Sequence, residues 1–368
     1  MLTAITPHIL ALAGDPGGAN ALAPVLKILL AEKRCTLTCY AYRQAIDLWR
    51  KHDIPCATIE IGCDPSGLLV ASQADLLLTA TSSNGEDWEI AFISAANAMN
   101  IPSLALLDFW SNYLSRFSDN GGELHFPRCI AVMDDAAVSD MVALGFRAET
   151  LVVTGQPAFD ALPEAKAAFT DAARDQLRQQ LAGNSDWVVF ASQPLASFYQ
   201  GLTGNPKHLG FDEDNVLGVL LAALDELAEL RPIRLSILPH PRENPTRFAG
   251  VQGQRVQVNV VTSVLPYEVL MSADLVVGMN SMLLVEACLL GCLVVSLQPG
   301  LVGPDLLPTN RYGASVPIFE SEGLALVLGK LLCDSNTRQT QLSQLANWRP
   351  LPGAARRVAD LAYRMSMG

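Results

Sequence analysis

The 368-residue chain has no surplus of positive charge, no clean apolar run of membrane-spanning length, and only 7% aromatic residues. Lys and Arg number 25 against 37 Asp and Glu, a net charge of −12. Such a balance lacks the basic surface that a general nucleic-acid binder, or a protein held on anionic lipid, requires. The longest apolar region, Ala273 to Leu297, is interrupted by Asp274, Asn280 and Glu286, and nothing reaches the roughly 18 residues of a membrane helix. The opening MLTAITPHILALAG has no positive segment before its apolar run, so it does not read as a signal peptide. Eight cysteines are scattered with no C-x-x-C pair, which predicts reduced, mostly buried thiols in a cytoplasmic protein.

What is present is apolar mass. Half the residues are hydrophobic and the mean hydropathy is +0.26, which excludes disorder and predicts a large core. At about 150 residues per domain the length accommodates roughly two domains. Short, continuously apolar runs alternate with helical stretches throughout. Strands are expected at 8–14, 35–42, 74–80, 102–108, 129–133 and 150–155, with helices such as 19–33, 45–52 and 91–100 between them. The pattern restarts after a polar, Ala-rich stretch at about 160–185, with strands at 186–193, 233–240, 256–261, 273–279 and 292–298 and helices at 216–230 and 282–291. Continuous apolarity is the mark of strands covered on both faces, so both halves read as parallel sheets built from βαβ units. The expected fold is α/β, with two Rossmann-like doubly wound domains, 1–165 and 166–350, facing each other across a cleft. A terminal amphipathic helix within 351–368 should cross back to the first domain.

Three segments could carry chemistry. The first strand runs into AGDPGGAN and a helix, where Gly14, Gly17 and Gly18 allow close backbone approach. Asp15 would repel a phosphate there, so a sugar or acceptor contact through Gly17 and Gly18 is favoured over a diphosphate; a plain βα turn reads equally well. The strand ending at Asp108 leads into DFWSNYLSRF, at the strand end where open α/β sheets bind ligands. Asp108 could act as general base toward an acceptor hydroxyl, with Trp110 and Tyr113 stacking on it and Glu123 as a weaker alternative base. The bland alternative makes the aromatics core packing and Asp108 a helix N-cap. In the second half, strand 273–279 ends in Asn280-Ser281 at a helix start. The two residues could cap that helix, or share its N-terminus with a diphosphate, while Glu286 suits two ribose hydroxyls. FDEDN at 211–215 has Asp-x-Asp spacing but sits at a helix start, where acidic residues answer the dipole, so no metal is expected.

Taken in order, these segments resemble the GT-B class of nucleotide-sugar enzymes, particularly relatives of UDP-N-acetylglucosamine 2-epimerase and CDP-glycerol transferases. ALAPVLKIL at 21–29 resembles the A-P-V-I-K-A-L after the epimerases' first Gly-rich loop. VTGQPAFDAL at 153–162 resembles their V-T-G-N-P-V-I-D-A-L, and NSMLLVEA at 280–287 their S-G-G-x-x-E-E donor-binding turn. The resemblance implies Ser281 and Asn280 on the donor diphosphate and Glu286 on the ribose. It further implies His240, in ILPHPREN at 237–244, near the phosphates, with Arg242 beside it. Departures accompany it. The epimerases' H-R-R-E-N after the first strand of the second domain is ASQPLASF at 191–198 here, and their acidic residue after D-x-V-L-V falls at Ser82 or Ser83. The reading is therefore a metal-independent, cofactor-free glycosyltransferase moving a sugar, or a sugar-alcohol phosphate, from a nucleotide-activated donor to a soluble acceptor. Asp108 and His240 would be its catalytic residues. The alternatives are an epimerase-like isomerase or hydrolase, or a non-catalytic nucleotide-sugar-binding protein. A homodimer stays open.

Overall fold

The computed structural model describes residues 6–60, 62–82, 86 and 88–368. Two units partition the chain: Met1–Ala161 together with Pro350–Gly368, and Leu162–Arg349.

The strands of the first unit are β1 (His8–Ala13), β2 (Thr36–Ala41), β3 (Ala57–Thr58), β4 (Leu76–Thr79), β5 (Ser103–Leu106), β6 (Cys129–Val132) and β7 (Leu151–Val153). They form one parallel sheet in the order β3-β2-β1-β4-β5-β6-β7. The second unit has β8 (Asp186–Ala191), β9 (Ile233–Leu238), β10 (Gln257–Val260), β11 (Leu275–Gly278), β12 (Val294–Leu297) and β13 (Val316–Ile318), ordered β10-β9-β8-β11-β12-β13 and again all parallel. Every residue of β4, β5, β6, β11 and β12 is buried. Burial along a strand's whole length is what helices on both faces of a parallel sheet produce.

Two strands have no counterpart in the sequence reading, β3 and β13. Both are short edge strands: β3 is exposed, and β13 carries Pro317, which an edge tolerates because one side of the ladder is missing. The helix expected at 216–230 spans Glu213–Leu227, and Asp212 caps it by accepting the Asn215 N–H at 2.7 Å. The acidic FDEDN segment is thus a helix start.

The last helix, Ala354–Ser366, belongs to the first unit. Its apolar stripe of Ala355, Val358, Ala359 and Ala362 joins the core that includes helix Pro16–Glu32, as an i, i+3, i+4 pattern dictates. Asp160 holds its start by accepting the N–H groups of Gly353, Ala354 and Ala355 at 2.7–3.1 Å, and Arg34 pairs with Asp360 at 2.7 Å.

In each sheet the order of connection reverses once, between β1 and β4 and between β8 and β11. The carboxyl ends of the strands at such a reversal are where open α/β sheets bind ligands.

Candidate functional site

In the first unit the reversal point is lined by the loop after β1 and by the residues after β4 and β5. Gly18 lies so close to β4's end that a Cβ there would stand 2.4 Å from the Ala80 methyl. A Cβ on Gly17 would fall 2.1 Å from Asp108 Oδ2. The structure therefore brings Gly17, Gly18 and Asp108 together, and small residues are required for it.

Asp108 is not free to act as drawn from the sequence. Its Oδ1 takes the Arg116 guanidinium at 2.5 Å, and its carbonyl accepts Gln156 Nε2 at 2.6 Å. Arg116 also donates to the Thr81 carbonyl and hydroxyl and to the Ser111 carbonyl. No helix follows Asp108, so the N-cap alternative fails as well. The stacking expectation is corrected too. Trp110 is 4% exposed, lies against Phe159 and donates its indole N–H to the Asp134 carboxylate. Tyr113 is buried beside Asp140. Both rings pack the loop and offer no open face. Glu123 is exposed, on a turn held by Asp119. Ser83 lies outside the described residues; Ser82 is buried and donates to Glu89 Oε1 at 2.7 Å.

Glu89, missed in the sequence, sits on helix Trp88–Ala98 at 3% exposure. Its other oxygen accepts the Tyr42 hydroxyl. Burial pushes the carboxyl up to about 7, against the pull of the two hydroxyls, with the Asp15 charge adding to the rise. Its one legible signal was an acidic residue inside an otherwise apolar helix face.

In the second unit, the reversal point is bridged by a hydrogen bond. Gln193, after β8, accepts the Asn280 N–H at 3.0 Å, after β11. Ser281 stands at the N-cap of helix Met282–Leu290 in extended conformation, but its hydroxyl makes no capping bond. That oxygen is buried and without a partner among the described residues, so the capping expectation is corrected. A buried hydroxyl left unpaired is costly, and the uncapped first turn beside it offers N–H groups and the positive end of the dipole.

His240 follows β9. Burial, with Arg242 adding to it, pulls its imidazole down to about 4, and its Nδ1 accepts the Arg242 N–H at 3.1 Å. The ring is neutral at pH 7 and can accept or donate there, but carries no charge to a phosphate. Arg242 is exposed, with its guanidinium over the Phe198 ring. Its sequence neighbour Glu243 takes Arg247 at 2.6 Å, the Ser192 hydroxyl at 3.0 Å and the His240 N–H at 2.8 Å. Glu286 is not a solvated helix residue. Burial raises its carboxyl to about 7, with the Tyr267 hydroxyl bonded to it.

Two raised carboxyls make a stability prediction with a definite sign. The folded state holds protons on Glu89 and Glu286 up to about pH 7, whereas an unfolded glutamate releases them near 4.5. Their stabilisation is complete below 4.5 and is lost as pH rises through 7. His240 works oppositely, but its effect is spent above its unfolded value of 6.5. From pH 6.5 to 8 the unfolding free energy should fall by about 1–2 kcal/mol, read as a lower urea midpoint. A Glu89→Gln/Glu286→Gln variant should show a flat profile over that range; an unchanged slope would refute the assignment.

No protein-family model and no curated protein sequence matches the chain. Solved structures do match. UDP-GlcNAc 2-epimerase from Neisseria meningitidis, bound to UDP-GlcNAc, superposes with a TM-score of 0.70 at 14% identity, covering 97% of this chain and 100% of that one. S. aureus MnaA with UDP gives 0.71 at 14%, covering 99% and 98%. Anabaena Alr3699/HepE with UDP gives 0.61 at 16%, covering 99% and 98%. At these identities the likeness is one of fold: two Rossmann-like parallel-sheet units, as in the GT-B-like epimerases.

Proposed function

We propose that the chain is an enzyme of UDP-sugars, an epimerase-like isomerase or hydrolase, with the diphosphate bound at the N-terminus of helix Met282–Leu290. The observation that carries this reading is the buried Ser281 hydroxyl, without a partner among the described residues, on an uncapped helix start at the second sheet's reversal point. A phosphate oxygen would accept that hydroxyl and the first-turn N–H groups together, while the dipole stabilises its charge. The site needs no surplus of cations for this, which agrees with a net charge of −12. The neutral His240, and Asn280 anchored through Gln193, would line the same edge. Glu286, bonded to Tyr267, would meet the ribose hydroxyls.

Support for UDP comes from the fold neighbours, which were solved with UDP or UDP-GlcNAc. Isomerase or hydrolase chemistry is preferred over transfer for a local reason. The carboxylate first considered as the acceptor's base, Asp108, is committed to Arg116.

The measurement is calorimetric titration with UDP and UDP-GlcNAc, followed by product analysis without acceptor. Ser281→Ala should weaken UDP binding roughly 10- to 100-fold, the worth of a hydrogen bond to a charged group. It should leave thermal stability equal or slightly higher, since it removes an unsatisfied buried oxygen. Formation of N-acetylmannosamine or free UDP supports the reading. UDP release that appears only with an added sugar acceptor would return the assignment to a glycosyltransferase, binding without turnover would leave a sensor, and no nucleotide binding would end the proposal.

A further inference from the structure

Within the first unit, three hydroxyl and carboxyl groups from three elements meet beside the β1–β4 reversal point. Ser82 follows β4, Tyr42 follows β2, and Glu89 lies on helix Trp88–Ala98. Glu89 Oε1 accepts Ser82 Oγ at 2.7 Å, and Oε2 accepts the Tyr42 hydroxyl. The Tyr42 ring fills the space over Gly14, where a Cβ would stand 2.1 Å from it, so the carboxyl is fixed relative to the Gly-rich loop. The charged group that acts on it is Asp15 on that loop. Neither partner of Glu89 is a cation, which distinguishes it from Asp108.

We propose that Ser82 and Glu89 form a proton-transfer pair serving a hydroxyl-bearing ligand, of the sugar class, at the carboxyl edge of the first sheet. The inference rests on the UDP-sugar reading and names an acid/base group that the sequence did not. When Glu89 is ionised, both hydroxyls donate to it. When it is protonated, its own O–H can turn to Ser82 Oγ, and the serine hydrogen becomes free to point away from the carboxyl. Taking a proton runs through the same two bonds. The ligand O–H breaks as a new Ser82 O–H forms, the old Ser82 O–H breaks, and Glu89 Oε1–H forms, so one negative charge passes from the carboxylate to the ligand oxygen. The reverse delivers a proton to a leaving oxygen. Tyr42 is a positioning residue that keeps the second carboxylate oxygen occupied.

The test uses the full chain with UDP and UDP-GlcNAc as probes, titrated at pH 7 in buffers of different ionisation enthalpy. Wild type should exchange a fraction of a proton on binding UDP-GlcNAc beyond that seen with UDP, and Glu89→Gln and Ser82→Ala should both abolish the difference while still binding UDP. Ser82→Ala leaves the Glu89–Tyr42 bond in place and serves where Glu89→Gln fails to fold. Where UDP-GlcNAc turns over, kcat should fall about 100-fold or more in both variants, with KM little changed. Equal proton exchange in wild type and variants, with UDP-GlcNAc bound by all, overturns the pair. Loss of UDP binding by wild type overturns the UDP-sugar reading instead, and this inference with it.

Discussion

Replacing Arg116 by alanine is expected to lower the stability of the first unit by about 3–5 kcal/mol, the cost of stripping the partner from a buried charge. The Arg116 side chain is 9% exposed and that of Asp108 14%. The guanidinium also ties the Thr81 carbonyl, after β4, to Ser111 and Asp108, after β5. Alanine would leave the Asp108 carboxylate desolvated beside Gly17 and release both loops at once. Against a total of 5–15 kcal/mol for a typical domain, this is severe. A denaturant melt followed by a probe in the first unit measures it. Asp108→Asn on the alanine background should recover part of the loss, because the uncompensated charge goes. A shift below 1 kcal/mol would mean that the pair contributes little.

The second large effect is expected at Arg247. This guanidinium meets Glu243 at 2.6 Å, Asp214 at 2.7 Å and Glu213 at 3.1 Å. The Glu243 and Glu213 side chains are nearly inaccessible, while Asp214 is open to water. Arg247→Ala would leave two buried carboxylates facing each other, and a loss of about 3 kcal/mol or more follows from the same reasoning. The consequences reach the candidate site. Glu243 holds the Ser192 hydroxyl and the His240 N–H, and Glu213 accepts the Ala196 N–H at 2.8 Å. UDP affinity should therefore fall together with stability. Arg247→Lys keeps one charge but not the fork that reaches three carboxylates, and should sit between wild type and alanine. Unchanged midpoints for both variants would overturn the role given to this hub.

Both hubs show why parts of the site were illegible. Arg116 stands eight residues after Asp108 in an irregular loop, where no periodicity relates one side chain to another. Arg247 and Glu213 are separated by a whole βα unit, and Arg242 is nearer to Glu243 in sequence, yet Glu243 takes Arg247. Glu89 follows Ser82 by seven residues, yet its meeting with Tyr42 depends on β2 lying two strands from β4. Ser281 was readable as a helix start. That its hydroxyl would fail to cap, and remain buried without a partner, was not.

By itself the sequence determined the two parallel sheets, the covered strands, the helix starts at the acidic 211–215 segment and at Ser281, and the small residues of the first loop. Each follows from a property of the local chain: an unbroken apolar run, a 3.6-residue period, a capping side chain, a missing Cβ. The tertiary structure alone decided which polar groups are spent on one another and which are left unpaired. It committed Asp108 to Arg116, turned Trp110 and Tyr113 inward, set Glu243 on Arg247, and, among the described residues, left the Ser281 hydroxyl without a partner and Glu89 without a cation. The reason is physical. Backbone propensity is settled within a few residues, whereas the pairing and desolvation of a side chain depend on which strand ends the topology places side by side.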